Sequence, residues 1–254
     1  MRTTAFSQFL PVLRVQGVIL AFFSLGFLLP GSVSWSTGDG LGKDWLVSGG
    51  VTLGCGVLLW VGMRRFKREL HPRHGIVLVS LTWVLLPLFA SFPLMFAMDS
   101  IGRPMSFTHA YFEAVSGLTT TGGTVIAGLD ALPLSINLWR TFLQWLGGMG
   151  ILVLAVAILP LLGVGGSQLF KGEVAGPIKD NRLTPRITDT AKGLWSIYAA
   201  LSVACLAAYW AGGMSLPDAI MHMFSTVSLG GLSSHDASLG YFGSPLLEAV
   251  ALVF

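Results

Sequence analysis

Apolar residues run along most of this chain in long stretches free of charge, and the polar breaks recur at about the spacing of a bilayer crossing. Val15–Trp35, Leu46–Met63, Ile76–Met98, Thr141–Val164 and Gly193–Gly213 each approach the ~20 residues that a spanning helix needs. A sixth stretch begins near Ser244 and runs to Phe254. Two segments break the plan. Between the third and fourth stretches lies "MSFTHAYFEAVSGLTTTGGTVIAGLDALP", in which Phe107, Ala110, Tyr111, Ala114, Val115 and Leu118 recur with helical spacing. A helix over Phe107–Leu118 extends only about 18 Å, roughly half the hydrocarbon thickness. The Thr/Gly strip after it suits neither a helix nor a strand, so the segment reads as a re-entrant loop, tolerated at that depth where protein or water satisfies its backbone.

The same arrangement returns in "SLPDAIMHMFSTVSLGGLSSHD". Setting Gly122 over Gly231, an offset of 109 residues, pairs Ala110 with Ala219, Ser116 with Ser225 and Glu113 with His222. The predicted architecture is therefore an all-α polytopic membrane protein. Two N-terminal spans occupy residues 1–70, and a first span–loop–span repeat occupies 71–165. A connector follows at 166–192, and a second, incomplete repeat at 193–254 ends inside its last helix. Repeats with broken helices near mid-membrane are a mark of transport proteins. A cation leaving water needs other oxygens, which backbone carbonyls and threonine hydroxyls can supply. Glycine allows the left-handed backbone that turns successive carbonyls the same way, and the C-terminal ends of the two short helices add partial negative charge.

Charge sharpens the topology. With a cytoplasmic N-terminus, Arg2, Arg14, Arg64, Arg65, Lys67, Arg68, Arg73, Lys171, Lys179, Arg182, Arg186 and Lys192 fall inside, and only Lys43, Arg103 and Arg140 outside. Asp39, Asp44, Asp99, Asp130, Asp218 and Asp236 fall outside, where they would concentrate cations. The connector, with Gly176, Pro177 and Pro185, reads as irregular. Only 11% of residues are charged and the mean hydropathy is +0.74, which excludes an ordinary soluble domain. The net charge of +3 gives no case for nucleic acid. Cys55 and Cys205 lie in apolar runs and read as small buried hydrophobes. The first stretch is read as an uncleaved span rather than a signal peptide, because it stays uncharged from Val15 to Gly38.

The stretches "YFEAVSGLTTTGGT", "LQWLGGMGILVLAVAILPLLGVGG", "DNRLTPRITDTAKGLW" and "STVSLGGLSSHDASLGYF" resemble the membrane subunit of Trk-type potassium uptake systems (the TrkH/TrkG group). The resemblance covers nearly the whole chain. It implies a potassium-translocating protein whose pore is built from four span–loop–span repeats. Thr119, Thr120, Thr121, Gly122 and Gly123 would form the first filter strip, and Ser228, Leu229, Gly230, Gly231 and Leu232 the second. Potassium is expected at Thr120, Thr121, Leu229 and Gly230, as transported cargo and with no cofactor. The resemblance also implies a homodimer in the inner membrane and a cytoplasmic, nucleotide-binding regulatory subunit like TrkA. Only two repeats are present, so the chain reads as an N-terminal fragment or a truncated product. Neither strip has the "TVGYG" of tetrameric potassium channels.

Glu113 and His222 occupy matching places, and bracing of the loops is preferred over shaping the field at the strips. A carboxylate at that depth needs a partner. Gly147, Gly148 and Gly150 read as sites of close helix packing, with a kink at Pro160 as the alternative. His235–Asp236 reads as a hydrogen-bonded turn near the outer mouth, and His71 and His74 as ordinary loop residues. Other readings are a cation-coupled secondary transporter, an inert remnant, or an intramembrane enzyme using Glu113, His222, His235 and Asp236. An enzyme lacks a nucleophile or metal cluster at sensible spacing.

Overall fold

The computed structural model describes residues 10–65, 72–158 and 183–254, and every described element is helical. In chain order these are α1 (Leu10–Phe23), a short 3₁₀ stretch (Ser24–Phe27), α2 (Leu28–Thr37), α3 (Gly42–Gly62) and α4 (Pro72–Ser100). Then follow α5 (Phe107–Leu118), α6 (Leu134–Ile158), α7 (Leu183–Ala211), α8 (Leu216–Val227) and α9 (Pro245–Val253). Among the described residues Leu10–Thr37, Gly42–Gly62, His74–Ser100 and Asp189–Ala211 are long and apolar enough to cross a membrane.

Helices pack closely where glycine removes the side chain. A Cβ at Gly17 would stand 2.6 Å from the Gly56 carbonyl oxygen, and one at Gly56 would stand 2.8 Å from the Ala21 nitrogen. The backbones of α1 and α3 therefore touch, as small residues permit between membrane helices. Around this contact Phe27, Trp45, Ala90, Leu94, Ala114, Leu118, Trp139 and Leu143 form one buried cluster. Trp139 centres it, 4.6 Å from the Phe27 ring and 5.7 Å from the Trp45 ring, with its indole N–H donating to the Ala90 carbonyl at 3.1 Å. A second cluster, with Leu138, Cys205, Tyr209, Met221, Phe224 and Leu247, joins α6 to α7, α8 and α9. α6 thus serves both cores.

The limits of the spans differ from the sequence reading in instructive places. The fourth begins at Leu134 rather than Thr141, because Arg140 is not an outer-loop charge; it is 1% exposed inside α6. Its guanidinium is paired, as described below, which removes the objection to burying it. The fifth begins at Leu183 rather than Gly193, so the last third of the proposed irregular connector is helical. Pro185 lies in the first turn, where a missing N–H costs little. His74 lies in the first turns of α4, buried, and not in a loop. Cys205 is buried as expected, whereas Cys55 is only half-buried. Pro160, Gly176, Pro177, Lys171, Lys179, Arg182, Lys67, Arg68, His71 and Arg2 lie outside the described residues.

Candidate functional site

α5 and α8 are the same device built twice, 109 residues apart. Each has 12 residues, α5 from Phe107 to Leu118 and α8 from Leu216 to Val227. Each starts on a serine cap: the Ser106 side chain accepts from the His109 N–H, and that of Ser215 from the Asp218 N–H. Each ends in the same pair of backbone bonds. Thr120 and Thr121 donate to Gly117 and Ser116 at 3.0 and 2.9 Å; Leu229 and Gly230 donate to Thr226 and Ser225 at 2.9 and 2.9 Å. This is a Schellman motif, which needs a left-handed residue just past the cap. That place is usually glycine, but here Thr120 (φ 54°) and Leu229 (φ 57°) fill it. A left-handed non-glycine residue costs about 1–2 kcal/mol. Two residues on, Gly122 (φ 77°) and Gly231 (φ 81°) turn left-handed again. The sequence identity between the loops is slight, yet the backbone path is shared.

The two strips meet. A Cβ at Gly122 would lie 1.9 Å from the Gly230 carbonyl oxygen. From below, α6 supports both: a Cβ at Gly147 would lie 1.9 Å from the Leu118 carbonyl oxygen, and one at Gly148 would lie 3.0 Å from the Ser228 Cβ. Gly147 and Gly148 therefore seat the ends of α5 and α8, in keeping with the close-packing reading, whereas a Cβ at Gly150 would meet only the Trp83 ring, at 3.9 Å. Gln144, fully buried one turn earlier, accepts from the Leu232 N–H at 3.2 Å and leaves no room for a side chain at Gly230. Within the first strip the Thr119 hydroxyl donates to the Val115 carbonyl at 2.8 Å and shares a 2.8 Å bond with the Thr121 hydroxyl. The Gly123 carbonyl accepts from the Ser116 hydroxyl at 2.6 Å, so that oxygen is directed back toward α5. Leu229 extends its side chain outward, 83% exposed.

Glu113 and His222 hold the return limbs of their loops. Glu113 Oε1 accepts from the Thr124 hydroxyl at 2.7 Å and Oε2 from the Val125 N–H at 3.0 Å. His222 Nε2 is 3.0 Å from the Ser233 hydroxyl, and Ser233 matches Thr124 at the same offset. Both hydroxyls then accept a backbone N–H two residues on, Ile126 and His235, each at 3.1 Å. The carboxylate finds its counter-charge in Arg140, whose Nε lies 2.7 Å from Glu113 Oε1 with both side chains fully buried. Arg140 also donates to Thr124 Oγ1 at 2.9 Å, Asn137 Oδ1 at 3.1 Å and, more weakly, to the Ser233 carbonyl at 3.5 Å. One guanidinium therefore touches both loops.

A second tie joins the two loops farther along their return limbs. Asp236, from the second loop, accepts from the Gly128 and Leu129 N–H groups of the first, both at 2.9 Å. The His235 ring bridges Asp130 and Asp218, 3.2 Å from the latter, and stacks on Tyr241 with centroids 3.5 Å apart. The His235–Asp236 pair is thus a tie between the two loops as well as a turn. The hydrogen bond with His235, aided by one from the Asp236 N–H, holds the Asp130 carboxyl below its usual value. Asp39 likewise holds Ser34 and Ser135, and Asp44 accepts from Ser100 at 2.8 Å. Asp39, Asp44, Asp130, Asp218 and Asp236 thus each serve as structural ties.

Among the described residues no cluster of His, Cys, Asp and Glu could hold a tightly coordinated metal. What the strips offer instead is backbone oxygen, hydroxyls and one negative centre neutralised behind them. The sequence reading missed Arg140, Gln144, Asn137 and Thr124. A signal for three of them was present: Asn137, Arg140, Gln144 and Gly147–Gly148 recur every three or four residues along α6, a polar and small stripe on an apolar helix.

The TrkH family profile, described as a cation transport protein, matches residues 46–254. A Trk system potassium uptake protein TrkH from Vibrio parahaemolyticus is 49% identical over 247 residues, covering 97% of this chain and 50% of that protein. One of the same description from Halomonas elongata is 50% identical over 243 residues, covering 96% of this chain and 50% of that protein. The crystal structure of the potassium transporter TrkH from Vibrio parahaemolyticus superposes with a TM-score of 0.84 at 44% identity, covering 98% of this chain and 49% of that one. The chain spans about half the length of the curated relatives it matches.

Proposed function

The chain belongs to the TrkH family of cation transport proteins, an all-α, multi-pass membrane group, and from that premise we propose that it supplies two of the ion-coordinating strips of a potassium uptake protein. The observation that carries this reading is the twofold backbone path: left-handed residues at Thr120 and Gly122 and at Leu229 and Gly231, with the strips in contact at Gly122 and Gly230. Alternation of this kind turns successive carbonyls toward one side, where they replace the water around a bare cation. In this reading α5 and α8 are re-entrant, and potassium passes along the carbonyls of Thr119–Gly122 and Ser228–Leu232, with Thr120, Thr121, Leu229 and Gly230 as its contacts, while the Gly123 carbonyl, held by the Ser116 hydroxyl, anchors the end of the first strip. Glu113 and His222 brace the strips without touching the ion.

Two strips make half a ring, so the remaining oxygens come from further repeats of the same polypeptide, as the relatives' greater length supports. The division of the chain into an N-terminal pair of spans, two repeats and a connector belongs to the same proposal. So do the cytoplasmic N-terminus, the inner membrane, the absence of enzymatic activity, a homodimeric state and a cytoplasmic nucleotide-binding partner. The test is rubidium uptake, together with growth on limiting potassium, in cells carrying the full-length protein with Gly122→Ser. Loss of uptake or altered selectivity between potassium and sodium is expected; wild-type uptake and selectivity would sink the assignment.

A further inference from the structure

Away from the loops, α1 and α3 leave a trough on the outside of the bundle, and its two ends differ in chemistry. At one end Arg14, Arg64 and Arg65 surround a 430 Å³ cavity with Trp60 on its wall. Among the described residues no carboxylate lines this cavity, and the three guanidinium groups make no ion pair with a described residue. At the other side of Trp60 a 340 Å³ groove continues between the helices, lined throughout by apolar side chains. Its walls are turned outward: Phe22 is 70% exposed, Leu25 57% and Val57 41%. The groove exists because Gly17 and Gly56 bring the two helix axes close while the larger residues on either side stand proud of the contact.

We propose that this trough binds one anionic phospholipid, its phosphate among Arg14, Arg64 and Arg65 and one acyl chain along the groove past Trp60. Three features converge on that occupant. Guanidinium forks match phosphate oxygens in charge and geometry, and three cations held together with no counter-charge among the described residues are relieved by an anion. Tryptophan favours the headgroup boundary, the level at which head and chain would part. The distance also fits: from Arg14 along α1 and into the 3₁₀ stretch at Leu25 the chain spans about 17 Å, close to the half-thickness of a ~30 Å hydrocarbon core. A free anion would use only the arginine end and leave the apolar groove unexplained. A partner's spanning helix would use only the groove.

Native mass spectrometry of the detergent-purified protein, titrated with phosphatidylglycerol and phosphatidylcholine, tests the site. Phosphatidylglycerol is expected to be retained in preference, with retention falling about fivefold per arginine replaced in the series R14Q, R64Q, R65Q. Val57→Trp, which fills the groove with the arginines intact, is expected to weaken retention several-fold and keeps the test open if the triple variant does not fold. Equal retention of the two lipids would overturn the proposal, as would undiminished binding in both the triple variant and Val57→Trp. Displacement of phosphatidylglycerol by millimolar inorganic phosphate would overturn the lipid as occupant. So would a polypeptide, rather than lipid, crosslinked to a photoreactive residue at Phe22 in native membranes.

Discussion

The first and second loops share a backbone and almost nothing else. Cap, helix length, Schellman bonds and left-handed positions coincide at one offset, while the strips read Thr-Thr-Thr-Gly-Gly in one and Ser-Leu-Gly-Gly-Leu in the other. Their braces differ more. The first uses a buried ion pair, Glu113–Arg140, and the second a neutral ring against a hydroxyl, His222–Ser233, with Gln144 holding Leu232. The comparison teaches that a carbonyl path is specified by main-chain bonds and left-handed turns, and that any buried group able to grip the hydroxyl of the first residue past the strip can hold it.

The comparison breaks most severely at Arg140. Removing one partner of a buried pair leaves the other uncompensated, at about 3–5 kcal/mol. Arg140→Ala should therefore lower the thermal midpoint of the purified protein far more than His222→Ala, and equal shifts would refute the charged-versus-neutral contrast. Next come the paired glycines. Gly122→Ala places a methyl group 1.9 Å from the Gly230 oxygen, whereas Gly231→Ala meets nothing within 4 Å and incurs only left-handed strain of about 1–2 kcal/mol. Rubidium uptake should be abolished by the first and reduced by the second; the reverse order would show that the strips are not arranged as described. Gln144→Leu removes the acceptor of the Leu232 N–H, a loss of about 1–3 kcal/mol, and hydrogen exchange should rise at Leu232 while Val125 stays protected.

The smallest effect concerns the second tie. The Asp130 carboxyl is held below its usual value, chiefly by His235, so its contribution is fully present above about pH 4. It fades as the pH falls through the lowered value. Asp130→Asn should lower stability above about pH 4 and shrink the acid-side loss by the same amount, a small change because the carboxylate is exposed. A profile whose acid limb is unaltered would assign the loss to other carboxylates.

Much of this molecule was legible from the order of its residues. Charge-free runs located the long helices, because hydrocarbon favours such runs, although α6 begins at Leu134 and α7 at Leu183, well before the starts at Thr141 and Gly193 that the charges suggested. The half-length of Phe107–Leu118 and its echo at Leu216–Val227 were visible, and so was the need of Glu113 for a partner. The identity of that partner was not. Arg140 looked like the edge of a span, since a charge in sequence gives no sign of whether a counter-charge 27 residues away will meet it. Likewise the glycines of α6 announced close packing, but only the fold decided that the ends of both loop helices rest on adjacent residues of one helix. Local pattern fixes which segments must leave water and how the backbone can turn. Pairing across the bundle depends on which faces meet, and that is decided when all the helices pack at once.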